Sequence, residues 1–134
     1  MIEVAKLNPV IKVNAAVKNY QFVTDNGIVY LVCNTVVGDN AYADDITFAK
    51  NEYLNGYQLD AWIGQKLVAD EKHIAYGSGV DYDDITAGTT LMGIKSATGE
   101  LEILSQAPNS GLYFKVTEKT TLTEKAVKLL VVKA

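Results

Sequence analysis

The chain has 134 residues and a mass of 14.6 kDa, with 49% hydrophobic and 21% charged residues, which is the size and composition of one folded domain. These values exclude a disordered chain, and no apolar run is long enough to cross a bilayer, so we expect no membrane partner. All 12 basic residues are lysines, set against 16 acidic residues for a net charge of -4. Without arginine and without a basic cluster, the sequence argues against nucleic-acid binding.

Residues 1–9 are predicted to form an N-terminal arm that precedes a single β-rich domain over residues 10–134. Ile2, Val4 and, less regularly, Leu7 alternate with other residues, a pattern that suits a strand added to the sheet edge of a neighbouring molecule. The alternative is that this segment forms the first strand of its own sheet. Because the start lacks the basic stretch and apolar run of a signal peptide, we do not expect export by the usual route.

Strands are predicted wherever β-branched and aromatic residues follow one another and turn residues interrupt them. In the first half these segments are 10–17, 28–35, 46–49, 52–54 and 57–59, with turn signals at Asn26-Gly27 and Asn55-Gly56. A single helical turn is predicted over 60–65, because Asp60 can cap it and Gly64 can end it.

The second half begins with residues 70–84, the least patterned part of the chain. Beyond it, 89–95 and 101–104 predict one hairpin, and 112–116 and 126–132 predict an antiparallel pair. Residues 117–125 between them are predicted to be an extended connection or a turn of helix. Turn signals every ~8–12 residues favour a closed arrangement of sheets. The predicted fold is therefore mainly β, a single-domain antiparallel β-sandwich or small barrel with at most short helical turns.

The nucleophilic and basic residues form no catalytic constellation in the sequence. Cys33 is the only cysteine and ends an apolar run, so we predict a core residue and no disulfide. His73 is the only histidine and follows three charged residues, which favours an exposed or hydrogen-bonded turn residue over a general base. Gly77-Ser78-Gly79 has the wrong spacing for a nucleophile elbow. We therefore predict that the protein is not an enzyme and has no catalytic residue.

Asp81, Asp83 and Asp84 form the one acidic cluster whose carboxylates would suit Ca²⁺. An EF-hand loop that starts at Asp81 requires an oxygen ligand, a glycine and a glutamate where Ile85, Thr86 and Met92 stand. The cluster is therefore predicted to be a solvated acidic turn, and we predict neither a metal nor a cofactor.

Four segments of the last fifty residues carry a family resemblance: Asp84–Leu91, Ala97–Leu101, Tyr113–Val116 and Lys128–Val132. Together they resemble the C-terminal half of small head proteins of tailed bacteriophages, which are decoration, cement or head-fibre-base proteins. The resemblance implies a β-rich structural protein that binds the major capsid protein on the outer surface of the assembled capsid and stabilises it.

The same resemblance implies a homo-oligomer, with a trimer favoured, that is made in the host cytoplasm and ends in the virion, on the capsid surface. It transfers no catalytic residues, because the family has none.

Aromatic residues leave a second function open. Tyr53, Tyr57 and Trp62 lie close together in the sequence and would suit a sugar-stacking face, although core or interface roles suit tyrosine equally well. The alternative function is a carbohydrate-binding or adhesion β-module on a phage particle or cell surface. The candidate partner-binding residues are thus Ile2, Val4, Leu7, Tyr53, Tyr57 and Trp62.

Overall fold

A computed structural model of the chain describes residues 10–13, 15–33, 47–121 and 123–134. Strands account for 51% of these residues and helix for 9%, which confirms the predicted mainly β fold. The helical residues in the described ranges form only short 3₁₀ turns, at Leu59–Trp62, Glu71–His73 and Tyr82–Asp84. The predicted arm, residues 1–9, lies outside the described residues.

The strands are β1 (Val10–Lys12), β2 (Val17–Lys18), β3 (Phe22–Asp25), β4 (Ile28–Val32), β5 (Thr47–Phe48), β6 (Tyr53–Gln58), β7 (Lys66–Asp70), β8 (Leu91–Lys95), β9 (Glu100–Leu104), β10 (Leu112–Thr121) and β11 (Lys125–Lys133). They form antiparallel sheets with the orders β1-β6-β4-β3, β2-β5 and β7-β11-β10-β8-β9. The chain divides into two compact units between Leu59 and Asp60, and the five-stranded sheet belongs to the second unit. We predicted that the two units form a single domain and that the sheets close into a sandwich or barrel. Both statements stay predictions.

The first unit buries one face of its four-stranded sheet. Ile11 lies opposite Leu54, and Val32 lies opposite Gly56, so that these residues share that face. The buried cluster on it consists of Ile11, Val13, Val17, Tyr30, Val32 and Leu54. The segment 10–17, predicted as one strand, is in fact two short strands, since it leaves the sheet after Lys12 and pairs with β5 only from Val17.

The two Asn-Gly pairs of the first unit have different outcomes. Asn26 and Gly27 have φ angles of 53° and 79° and connect β3 to β4, which confirms the predicted hairpin turn. Asn55-Gly56 lies inside β6, so the turn predicted there is wrong. Gly56 instead allows a close approach, because a Cβ atom on it would be 3.1 Å from the Cβ of Tyr30.

The second unit is built around the long hairpin of β10 and β11, which confirms the predicted antiparallel pair. Phe114 and Val116 on β10 lie opposite Val131 and Leu129 on β11, and all four side chains are buried. Residues 117–121, predicted as a connection, extend β10 past a register shift between Val116 and Glu118. The predicted hairpin of β8 and β9 is also confirmed.

Candidate functional site

The exposed apolar surface of the second unit lies at β7, an outermost strand that pairs only with β11. Leu67 is opposite the buried Leu129, so it faces the core. Val68 lies on the other face, opposite Lys128, and remains 48% exposed. Ile63, in the turn that leads into β7, is 42% exposed. Single exposed apolar side chains are common on soluble proteins, but an outermost strand that carries one can pair with a strand of another protein and pack against it.

The first unit carries two of the predicted aromatic residues on one strand. Tyr53 and Tyr57 are four residues apart on β6, on the face opposite the buried Leu54, and are thus separated by about 13 Å along the strand. Tyr53 is 70% exposed, and the Nζ of Lys12 lies 5.7 Å from its ring centroid. Tyr57 is partly buried and lies opposite Leu31. One tyrosine ring is therefore available to a partner or a sugar.

The remaining predicted partner-binding residues are placed elsewhere. Trp62 is partly buried and belongs to the second unit, at the end of the 3₁₀ turn Leu59–Trp62. Ile2, Val4 and Leu7 lie outside the described residues.

A pocket of about 330 Å³ lies beside β9, the other outermost strand of the five-stranded sheet. One wall is the segment Ala75–Gly77 with Val80, and the opposite side is formed by β8 and β9. The lining residues are Ala75, Tyr76, Gly77, Val80, Lys95, Glu102, Ile103, Leu104 and Ser105. The pocket could not be predicted from the sequence, because its walls come from segments that the strand register brings together.

The polar side chains of the pocket are a phenol, an ammonium, a carboxylate and the hydroxyl of Ser105. The hydroxyl of Tyr76 donates a hydrogen bond to Oε1 of Glu71 at 3.4 Å. Burial, and then the negative charge of Glu71, raise the pKa of Tyr76, so its phenol stays protonated at neutral pH. Lys95 and Glu102 add opposite charges from neighbouring strands. This combination suits the binding of a partly polar ligand.

His73 lies against an acidic residue at the end of β7. Its Nε2 is 3.7 Å from Oδ1 of Asp70, and the Nζ of Lys72 is 3.9 Å from Oδ2 of the same carboxylate. Oδ1 of Asp70 is buried and has no hydrogen-bond partner within the described residues. Neither His73 nor Asp70 lines the pocket beside β9. The arrangement holds the 3₁₀ turn Glu71–His73 against the strand that precedes it.

Cys33 follows the last residue of β4 and is partly buried, whereas the sequence predicted a core position. Burial raises the pKa of its thiol, which disfavours the reactive thiolate.

The three clustered aspartates surround the 3₁₀ turn Tyr82–Asp84 and are exposed, as predicted for an acidic turn. Oδ1 of Asp81 accepts a hydrogen bond from the Asp83 N–H, and Oδ2 of Asp84 accepts one from the Asp81 N–H, both at 2.9 Å. These contacts form a capping box. Across the residues that the structure describes, no three histidine, cysteine, aspartate or glutamate side chains are grouped to hold a metal ion.

Comparison with known proteins finds no match to this chain, whether among protein families, curated proteins or solved structures. Within the described residues, no helix has the length and apolar character that a membrane span requires.

Proposed function

We propose that this chain is a structural virion protein that binds the outer surface of an assembled phage capsid and stabilises it. The observation that carries the proposal is Val68, a β-branched residue that is 48% exposed on the outermost strand β7. A protein that coats a lattice of identical subunits needs a flat contact surface, and a sheet edge with an exposed apolar residue offers one. The contact serves assembly and involves no covalent chemistry.

The position of the resembling segments supports the same proposal. All four lie in the second unit, the one that contains the β7 edge, and they include parts of β8, β9, β10 and β11. The similarity to head proteins therefore concerns the same folded unit as the exposed edge.

The proposed partner is the major capsid protein of the phage that encodes the chain. The experiment mixes the purified chain with assembled heads of that phage that lack it, and measures bound protein by co-sedimentation. We expect saturable binding by the natural chain and binding at least about tenfold weaker for Val68→Asp, because a charge would be buried at the contact.

Thr121→Asp is the matched control, since it places the same charge on an exposed residue of β10 in the same sheet. It should bind as the natural chain does. The proposal fails if the natural chain does not bind heads, and the β7 contact fails if both variants bind equally well.

A homo-oligomer, with a trimer favoured, is part of the proposal. Oligomerisation covers exposed sheet edges that otherwise promote aggregation. Light scattering coupled to size-exclusion chromatography should give a mass of about three times the 14.6 kDa of one chain. A monomer at all accessible concentrations would contradict this part.

The alternative function, a carbohydrate-binding or adhesion module on a phage particle or cell surface, is favoured by Tyr53, whose ring is 70% exposed. Aromatic rings that remain exposed offer an apolar face on which a sugar ring can stack. Glycan-array binding that is lost in Tyr53→Ala and kept in Val68→Asp would support this function. Binding to heads without any glycan signal would support the capsid role instead.

A further inference from the structure

The outer edge of β9 is only partly covered by the chain. Ile74 forms a parallel bridge with Leu101, and the N–H of Ala75 donates to the carbonyl oxygen of Leu101 at 2.7 Å. Beyond Ala75 the covering segment separates from β9, and the pocket opens between Tyr76 and Ile103. Among the described residues, the edge is therefore closed at Leu101 and open from Ile103 onward.

The strand geometry determines which groups face this opening. Because the Leu101 carbonyl bonds to Ala75, it points away from β8, and main-chain groups of alternate residues in a strand point to the same side. The N–H and C=O of Ile103 thus face the pocket that this residue lines. Within the described residues, no main-chain bond from a loop satisfies either group. An edge donor and acceptor next to an open pocket form a template for one more strand.

The side chains beside this edge define what such a strand should carry. Glu102 lies opposite Gly93, and Leu104 lies opposite Leu91, so both belong to the same face of the sheet. Leu104 also covers Gly93, where a Cβ atom would be 3.0 Å from its Cδ2. An added strand would place one side chain beside Glu102 and another, two residues away, beside Leu104.

We propose that the pocket beside β9 binds an extended segment of a partner protein, added antiparallel to β9 at Ile103. The segment carries an apolar side chain next to Leu104 and Val80 and, two residues later, a basic side chain next to Glu102. The volume of about 330 Å³ lies at the lower end of the range for small-ligand pockets, which limits the segment to a few residues. This site lies apart from the β7 edge in strand order and does not depend on the capsid role.

The test is an NMR titration of the full ¹⁵N-labelled chain with the peptide acetyl-Thr-Val-Thr-Lys-amide. The peptide concentration is raised to about 10 mM, because a tetrapeptide binds with low affinity. We expect the amide signals of Ile103 and its pocket neighbours Glu102 and Ser105 to shift most. A peptide with glutamate in place of lysine should bind about fivefold more weakly, and Glu102→Lys should reverse that preference.

A second probe tests the backbone bonds. The same peptide N-methylated at its second threonine, the residue opposite Ile103, cannot donate that main-chain N–H to the Ile103 carbonyl oxygen and should bind at least about tenfold more weakly. Absence of any shift, shifts remote from β9, or equal binding of the N-methylated peptide would overturn the proposal. Shifts of the same amides when the chain alone is concentrated would assign this edge to a second copy, and would equally overturn it.

Discussion

The described glycines differ in the space around them. Gly56 lies in β6, where an added Cβ would be 3.1 Å from the Tyr30 Cβ and 3.3 Å from Cδ1 of Ile11. We predict that Gly56→Ala lowers the free energy of unfolding by about 1–3 kcal/mol, because two buried side chains must move. Gly77→Ala is the control, since its nearest atom is 4.0 Å away, and should change stability by less than about 0.5 kcal/mol. Urea unfolding of both variants measures the difference, and equal stabilities would contradict the assigned role of Gly56.

The raised pKa of Tyr76 predicts a pH dependence. In the folded state this phenol stays protonated above its ordinary pKa of 10.0. Its contribution to the free energy of unfolding is therefore complete below pH 10.0 and is lost as the pH rises through the pKa of the folded state. The free energy of unfolding of the natural chain should therefore fall more steeply between about pH 8 and pH 11 than that of Tyr76→Phe. Urea unfolding at both pH values measures this, and parallel slopes for the two proteins would refute it. At neutral pH the substitution should cost no more than about 1 kcal/mol, for the loss of a long hydrogen bond to Glu71.

At the scale of elements, Tyr82 connects a 3₁₀ turn to the long hairpin. Its hydroxyl donates to the carbonyl oxygen of Ala126 at 2.8 Å, and the Nζ of Lys119 lies 4.4 Å from its ring centroid. We predict that Tyr82→Phe destabilises the chain by about 1–3 kcal/mol, because a buried carbonyl loses a donor. Tyr113→Phe, at a partly buried position on β10, should cost less than about 0.5 kcal/mol. Thermal unfolding of the two variants checks the prediction, which fails if their melting temperatures agree.

Elements whose conformation is determined by their own residues, without distant neighbours, were predictable from the sequence. Asn26-Gly27 permits two left-handed residues in succession, and the hydrophobic runs 112–116 and 126–132 predicted the pairing of β10 with β11, although not residues 117–121 of β10. Asn55-Gly56 contains the same dipeptide, but the neighbouring Tyr30, remote in sequence, requires a residue without a side chain there. The short β3, Phe22–Asp25, was not among the predicted strands.

The candidate sites depend on which strands and segments pair with one another, and they were harder to predict from the sequence. Val68 is exposed because it lies on the face of β7 opposite Leu67, and the outermost place of β7 in the strand order is something that no local pattern records. Tyr76 and Glu102 line the pocket beside β9 from two segments that are far apart in the sequence. The bridge of Ile74 to Leu101 brings these two segments together. The tyrosines of β6 were identified in advance because their four-residue spacing is local.

For the whole molecule, the single domain stays a prediction, and the chain divides into two compact units between Leu59 and Asp60. If residues 10–134 fold as one cooperative domain, differential scanning calorimetry should show one transition with equal calorimetric and van't Hoff enthalpies. Gly56→Ala in the first unit and Tyr82→Phe in the second should then lower the same transition. Two separate transitions, each shifted by only one of these variants, would contradict the single domain.

In the proposed function, the chain attaches to the outside of a phage head through the edge of its five-stranded sheet. Cryo-electron microscopy of heads saturated with the purified chain shows whether and where it attaches. We expect additional density at symmetric positions on the outer surface, with β7 and Val68 at the contact with the shell or with a neighbouring copy. Heads that remain bare at saturating protein, or density in which β7 faces solvent, would contradict it.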